Sequence, residues 1–365
     1  MVVGVPKEIK KEEYRVGIMP SGVKELKGYG HTVLIEKDAG AGSGFTDDEY
    51  LDADADIVDR EALFGNSDLI VKVKEPLPEE FGLIKAGQAI FTYLHLAPNR
   101  QLTEFLLSKT ITAIGYETLE KNGALPLLFP MSEVAGRMAP LMGVYYLQMV
   151  HGGTGVLATG VAGVRPAKAL ILGSGVVGSN AARVCIGLGM DTVVISKSTE
   201  QLQRLDELFM GRIHTLPVTG HDIGEEIRDA DIVIGAVLVP GGRTPMLITR
   251  DMLSTMKKGA VIVDVSVDQG GCAETSRPTT HDDPVYTVEG IIHYTVANMP
   301  GAYPRTSTIA LTNATLPYIE TLANMGIEDA ISEDPSIRSA LNTYRGKIKH
   351  KVLAEAFSQR DHNSP

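Results

Sequence analysis

The segment KALILGSGVVGSNAARVCIGLGMDTVVIS, residues 168–196, constrains the fold more than any other stretch of the chain. An apolar run stops at Gly173, a helical period begins at Val176, and a second apolar run, TVVIS, follows. Gly173, Gly175 and Gly178 match the spacing G-x-G-x-x-G inside a strand–turn–helix–strand context, which separates a dinucleotide site from a chance spacing. Gly173 permits the tight turn, Gly175 puts no side chain in the way of a pyrophosphate, and Gly178 lets the helix approach the strand. The N–H groups from Ser174 through Val176 and Val177 then face the phosphates at the helix N-terminus. The competing reading is a glycine turn in an α/β sheet that holds no ligand.

In sites that take NAD, an acidic residue ends the second strand and binds the ribose hydroxyls. That position is Ser196 here, followed by Lys197 and Ser198. Losing a charged acceptor costs about 1.5–3 kcal/mol of NAD affinity. It also removes repulsion against a 2′-phosphate, with which Lys197 can pair. NAD held by Ser196 and a relaxed or NADP-leaning specificity both remain open.

At 365 residues the chain exceeds the size at which single cores stop growing, about 250–300 residues. The first ~125 residues alternate strands (VVGVP, TVLIE, LIVKVKEP, AIFTYLHL, TAIGYE) with helical patterns. Among the latter are SGVKELKGYG, with Ser21 as a candidate N-cap, and TDDEYLDADADIV, opened by Thr46. MSEVAGRMAPLMGVYYLQMV reads as one long helix interrupted only by Pro140, and the glycine-dense HGGTGVLATGVAGVRPAK as a flexible or hairpin connection. From Lys168 to about residue 300 the alternation resumes, with five or six parallel strands. The segment from TSTIALTNATLPYIETLANMG onward reads as helical, without strand signals. It is too small for a core of its own, so it packs back on the first domain. The expected fold is α/β with two doubly wound domains: a Rossmann dinucleotide-binding domain over 131–304, inserted into a discontinuous substrate domain made of 1–130 and 305–365. The polar tail RDHNSP carries no fold signal.

Outside the glycine motif the polar groups are few. Arg15 follows a short polar loop, Lys72 and Lys74 alternate with Val71 and Val73 so as to share a strand face, and His95 ends an apolar strand. Strand C-terminal ends form the ligand crevice of open α/β sheets, so Arg15, Lys74 and His95 can converge there. A guanidinium and an ammonium suit a small carboxylate, and a His offers proton transfer near neutral pH. Solvated cations and a capping His are the plainer alternative. In VIVDVSVDQGG, Asp268 falls where strand meets loop, whereas Asp264 reads as structural.

Lys plus Arg is 34 and Asp plus Glu 45, a net charge of −11 that disfavours nucleic acid. No basic amphipathic stretch suggests a membrane surface, no apolar run reaches the ~18 residues of a spanning helix, and the N-terminus lacks the apolar core of a secretory signal. Cys185 and Cys272 form no C-x-x-C pair, and His214, His221, His281 and His293 have no ligand spacing, so no metal is expected. Unpaired Cys suits a reducing cytoplasm.

The motifs VPKEIKKEEYRVG, VKVKEP, FTYLHLAP, GYET, LPLLFPMSEVAGRMA, GRIHT, DIVIGAVLVPGG, VDVSVDQGGCAETSRPTTH and VANMPGAYPRTST, together with the glycine motif, cover nearly the whole chain. Jointly they resemble the alanine dehydrogenase family, whose relatives include the NAD-binding subunit of proton-translocating transhydrogenase. The resemblance implies reversible oxidative deamination of L-alanine to pyruvate and ammonium, with hydride passing to a nicotinamide dinucleotide. It implies that Arg15 and Lys74 bind substrate, that His95 acts in acid/base steps and that Asp268 handles water and protons during imine hydrolysis. Met131, Ser132, Asn298 and Met299 would line the nicotinamide pocket, Arg277 would lie near the cofactor, and Val237, Leu238, Val265, Val267 and Val296 complete the expected cofactor contacts. It further implies two domains with a cleft and a homohexamer. Ser196, and with it Gln201, departs from the family's acidic ribose ligand. The rival readings are a transhydrogenase NAD-binding component, which needs no substrate acid/base set, and a catalytically silent dinucleotide-binding protein.

Overall fold

The structure, a computed structural model, describes residues 1–218, 223–237 and 244–361. The chain divides into two compact units, Met1–Met131 with Tyr303–Pro365, and Ser132–Ala302. Each contains a mostly parallel sheet among the described residues.

The first unit opens with β1 (Val2–Val5), β2 (Thr32–Glu36), β3 (Asp56–Val58), β4 (Leu69–Val71), β5 (Ala89–Thr92) and β6 (Thr112–Gly115). The second contributes β7 (Lys168–Leu172), β8 (Asp191–Ser196), β9 (His214–Pro217), β10 (Ile232–Gly235), β11 (Val261–Asp264), β12 (Val285–Val288) and β13 (Ile291–Tyr294). The chain then returns to the first unit through the helix Pro304–Met325 and adds β14 (Leu341–Tyr344) and β15 (Lys347–Ile348).

The first sheet runs β3-β2-β1-β4-β5-β6-β14-β15, parallel from β3 to β6 and antiparallel thereafter. The second runs β9-β8-β7-β10-β11-β13-β12, with only β12 antiparallel. Counted within each unit, the first sheet follows the doubly wound order 3-2-1-4-5-6 and the second 3-2-1-4-5-7-6, its sixth strand being the antiparallel edge. In such sheets the ligand crevice lies at the C-terminal ends of the strands where the order reverses. That point is β1/β4 in the first unit and β7/β10 in the second.

Strand alternation builds the second core. Leu170, Leu172, Val193, Ile195, Val233 and Ile262 pack on one face of the sheet, while Ala169, Ile171, Val194, Ile232, Ile234, Val261 and Val263 pack on the other. Both faces are covered, which is why these strands read as unbroken apolar runs. Cys185, on the helix Val176–Gly187, is buried in this core, and burial pushes its thiol up to about 12.

Several sequence expectations need correction. The helix opened by Thr46 is only Asp47–Leu51, with Thr46 and Glu49 forming a capping box; Asp54, at φ +64°, ends the turn, and Asp56–Val58 pairs with β2 as a strand. The helix Pro20–Gly28 starts from Met19, with Pro20 in its first turn, so Ser21 is not its N-cap. The C-terminal segment does hold strands. Arg345 and Gly346, at φ +49° and +70°, make the two-residue turn that folds β15 back on β14. The β9 and β12 strands were also illegible, being short and only half-buried.

Candidate active site

In the first unit, three loops leave the C-terminal ends of β1, β4 and β5. They carry Arg15, Lys74 and His95, and the structure brings these residues together. Arg15 is buried and gripped by Glu13, with Nε donating to Oε1 and Nη2 to Oε2, each at 2.6 Å. Its Nη1 lies 2.9 Å from Met131 Sδ. Burial opposes the guanidinium charge, and the hydrogen bonds and charge of Glu13 more than offset it, so its pKa is raised.

Lys72 and Lys74 do not share a strand face, because β4 ends at Val71. Lys72 is fully buried, 2.8 Å from Glu80 and 3.3 Å from Glu8. Burial works against its ammonium, and the two carboxylates restore it. Glu8 Oε1 also accepts from the N–H groups of Val73 (2.7 Å) and Lys74 (3.2 Å), fixing the loop from which Lys74 projects. Burial, and then the neighbouring charge of Arg15, push the Lys74 ammonium below the ordinary lysine range. Among the described residues no acceptor bonds Lys74 Nζ.

His95 is exposed and has φ +46°, an uncommon conformation for a side-chain-bearing residue. Glu117 holds it there, accepting from His95 N–H at 2.6 Å and Leu94 N–H at 3.0 Å. The imidazole stacks on Tyr93, whose hydroxyl donates to Leu127 O at 2.6 Å. Two cations, one of them with no ion-pair contact among the described residues although Glu13 and Glu75 lie in its field, thus share this end of the unit with an exposed imidazole, an arrangement that can bind a small anion and exchange protons with it. Glu8, Glu13, Tyr93 and Glu117 escaped the sequence reading. An acid two residues before Arg15, and one in GYET, were the available signals.

In the second unit the glycine turn sits at the end of the inner strand β7, which lies between β10 and β8. Gly173 has φ +115°, and a Cβ there would meet Ala236 O at 2.5 Å. A Cβ on Gly178 would overlap Gly173 O, whereas one on Gly175 would meet nothing within 4 Å. The turn is therefore closed on the protein side and open where a pyrophosphate would lie, as a dinucleotide cofactor requires. Val176 and Val177 begin the helix Val176–Gly187. At the end of β8, Ser174 Oγ stands 2.6 Å from Ser196 Oγ and 2.7 Å from Gln201 Oε1, while Lys197 is exposed.

Val237, Val265 and Val267 follow β10 and β11, tied by Ser266, whose Oγ accepts from Val237 N–H and donates to Val237 O. Asp264 is fully buried and accepts from Ser266 N–H, Cys272 N–H and the Ser276 hydroxyl, a structural role. Asp268 is exposed in the turn Val267–Gln269. Val296 and Met299 are buried, Asn298 has φ +67° and its carbonyl faces His281, and Ser132 is half-buried in the helix Phe129–Tyr146. Arg277 is exposed and stacks over Tyr286 at 4.1 Å. Leu238 and His221 lie outside the described residues. Among the described residues there is no cluster fit to hold a metal, and no helix long and apolar enough to cross a membrane.

Comparison with known proteins covers nearly the whole chain. Residues 4–135 match the family model for the alanine dehydrogenase/PNT N-terminal domain, and residues 139–351 the model for the C-terminal domain. An alanine dehydrogenase of Halomonas elongata is 51% identical over 359 residues, 98% of this chain and 97% of that one. An alanine dehydrogenase of Staphylococcus haemolyticus is 50% identical over 98% of this chain and 96% of its own. A solved L-alanine dehydrogenase superposes with a TM-score of 0.95 at 47% identity, covering 98% of this chain and 99% of the other. A transhydrogenase from Sinorhizobium meliloti reaches 0.82 at 24% identity over 96% and 99% of the two chains, a likeness of fold alone.

Proposed function

We propose, from the premise that the chain belongs to the alanine dehydrogenase/PNT family, that it is an alanine dehydrogenase. The reaction is the reversible oxidative deamination of L-alanine to pyruvate and ammonium, with a nicotinamide dinucleotide as hydride carrier. The observation that carries this reading at the level of residues is the pair of cations Arg15 and Lys74 beside His95. A buried ammonium with no carboxylate in ion-pair contact among the described residues, next to a buried guanidinium, is costly unless an anion completes the site, and a transhydrogenase role needs no such set.

When bound, the nicotinamide ring supplies the acceptor for the hydride on the alanine Cα. The protein does the rest. Arg15, oriented by Glu13, supplies the guanidinium charge for the substrate carboxylate, and Lys74 adds charge at the carboxylate and carbonyl end. His95 takes a proton from the substrate ammonium, freeing the nitrogen lone pair for the imine. Asp268 accepts a proton from the water that attacks the imine carbon. The C–N bond of the resulting carbinolamine then breaks as the pyruvate carbonyl forms, and the nitrogen leaves as ammonium with the proton returned to it. The glycine turn holds the pyrophosphate, Ser132, Asn298 and Met299 line the nicotinamide end with Val237, Val265, Val267 and Val296, and Arg277 assists nearby. In this reading the unit Ser132–Ala302 is the dinucleotide domain and the discontinuous unit the substrate domain. Whether NAD or NADP is preferred turns on Ser196 and Lys197.

Exposed apolar side chains on Met149, Val150, Leu157, Val161 and Val164 support self-association as a homohexamer. Two buried free thiols fit a cytoplasmic location. The functional test is absorbance of the reduced nicotinamide with pyruvate and ammonium, for wild type and His95→Ala. Turnover by the wild type, reduced at least about a hundredfold in the variant, is expected. A wild type without turnover ends the alanine reading, and an unimpaired variant ends the role of His95.

A further inference from the structure

The residues at the end of β8 are arranged as donors, not as an acceptor. Ser174 Oγ lies within hydrogen-bond distance of both Ser196 Oγ and Gln201 Oε1. An amide oxygen only accepts, so the Ser174 hydroxyl is the donor in this cluster, its one proton shared between Gln201 Oε1 and Ser196 Oγ. Ser196 Oγ in turn accepts from Ser198 N–H at 3.4 Å. The buried Ser196 Oγ thus accepts from both neighbours and spends its own proton on neither, and no carboxylate stands where a ribose diol would seek one. Gln201 has its oxygen occupied, so the two Nε2 protons are the donors this exposed side chain has left to offer. Lys197, also exposed, adds an ammonium one residue beyond the strand. The acid nearest in sequence, Glu200, is exposed in the first turn of the helix Thr199–Phe209.

We infer that Ser196, Lys197 and Gln201 form a 2′-phosphate subsite, so that the protein selects NADP(H) over NAD(H). This rests on the dinucleotide reading of the glycine turn. A basic side chain near the ribose position is the usual means of accepting the 2′-phosphate. Ammonium and amide N–H groups are the donors a phosphate dianion takes, and the missing carboxylate removes its like-charge opponent. Ser174 is a positioning residue: its proton fixes the face that Gln201 presents.

Isothermal titration calorimetry with 2′,5′-ADP and 5′-AMP, repeated with NADPH and NADH, tests the subsite without recourse to turnover. The wild type is expected to bind each 2′-phosphorylated compound at least about tenfold tighter, ~1.4 kcal/mol. Lys197→Ala, at an exposed position that leaves the fold intact, should weaken 2′,5′-ADP about tenfold and leave 5′-AMP unchanged. Ser196→Asp should invert the preference. Equal or tighter binding of 5′-AMP and NADH by the wild type overturns the subsite alone. Failure of all four compounds to bind overturns the dinucleotide reading and the subsite together.

Discussion

Glu13 holds Arg15 through both of its carboxylate oxygens, Oε1 on Nε and Oε2 on Nη2, inside a unit where neither side chain reaches solvent. Two fork-to-fork bonds set the plane and azimuth of the guanidinium before any substrate arrives. Glu13 is a positioning residue in this arrangement. Glu13→Gln keeps the shape and one acceptor but loses the charge and the second bond. Steady-state kinetics should show the KM for pyruvate rising on the order of tenfold, ~1.4 kcal/mol, with kcat changed much less. A fall in kcat at constant KM would remove Glu13 from substrate binding.

Lys74 gives a pH dependence with a definite sign. Its pKa lies below the ordinary lysine value because burial, and then Arg15, disfavour the ammonium, with Lys10 adding to this and Glu13 and Glu75 opposing it. As pH rises, the ammonium is lost earlier than from a free lysine, and with it one cation for the substrate carboxylate. Binding of oxamate, a pyruvate isostere that does not react, should therefore weaken along an alkaline limb centred below the usual lysine range. Lys74→Arg, which keeps its charge at any accessible pH, should abolish the limb. A limb that persists unchanged in that variant would assign it to another group.

Lys72 reads in the sequence as one of two cations on a strand face, which is not what it is. Its role depends on Glu8 and Glu80, which lie 64 residues before and 8 residues after it and approach only in the folded unit. Substituting Lys72→Met would leave two buried carboxylates without a counter-ion. Denaturant unfolding should show a loss of about 3–5 kcal/mol. The triple variant with Glu8→Gln and Glu80→Gln should recover a large part of it. No recovery would mean that the ammonium is needed for packing rather than for charge.

The same distinction separates what the sequence disclosed from what it withheld. The apolar runs of β1, β7, β10 and β11 announced themselves because parallel strands covered on both faces are apolar at every position. The glycine turn was legible because its three positions are bound to one geometry. Strands β3, β12, β14 and β15 were not, since each is two to four residues long and owes its existence to a neighbour already in place. At the site, Arg15, Lys74 and His95 stood out as polar residues at strand ends. Glu13, Tyr93 and Glu117 act through those residues, and residues of that kind carry no periodicity. Glu117 is 22 residues from His95, whose backbone it restrains, a pairing that only the β5–β6 register creates.

The three glycines of the turn answer to different constraints, and substitution should separate them. Gly175 has φ −70° and ψ −161°, which alanine adopts freely, and open space where a Cβ would point. Gly175 is the helix N-cap, where Ala is the poorer residue, so Gly175→Ala should cost the unliganded protein only about 0.5–1 kcal/mol. Its methyl would nonetheless intrude on the bound pyrophosphate, so dinucleotide affinity measured by nicotinamide fluorescence should fall at least about tenfold. Gly178→Ala is the opposite case. Its methyl would overlap the Gly173 carbonyl in the absence of any ligand, forcing the helix Val176–Gly187 away from β7 at a cost of about 1–3 kcal/mol, visible as a lower Tm without cofactor. If Gly175→Ala bound dinucleotide as tightly as wild type, the open face of the turn would not be where the pyrophosphate lies, and the assignment of the glycine motif to that ligand would fall even though the turn itself stands.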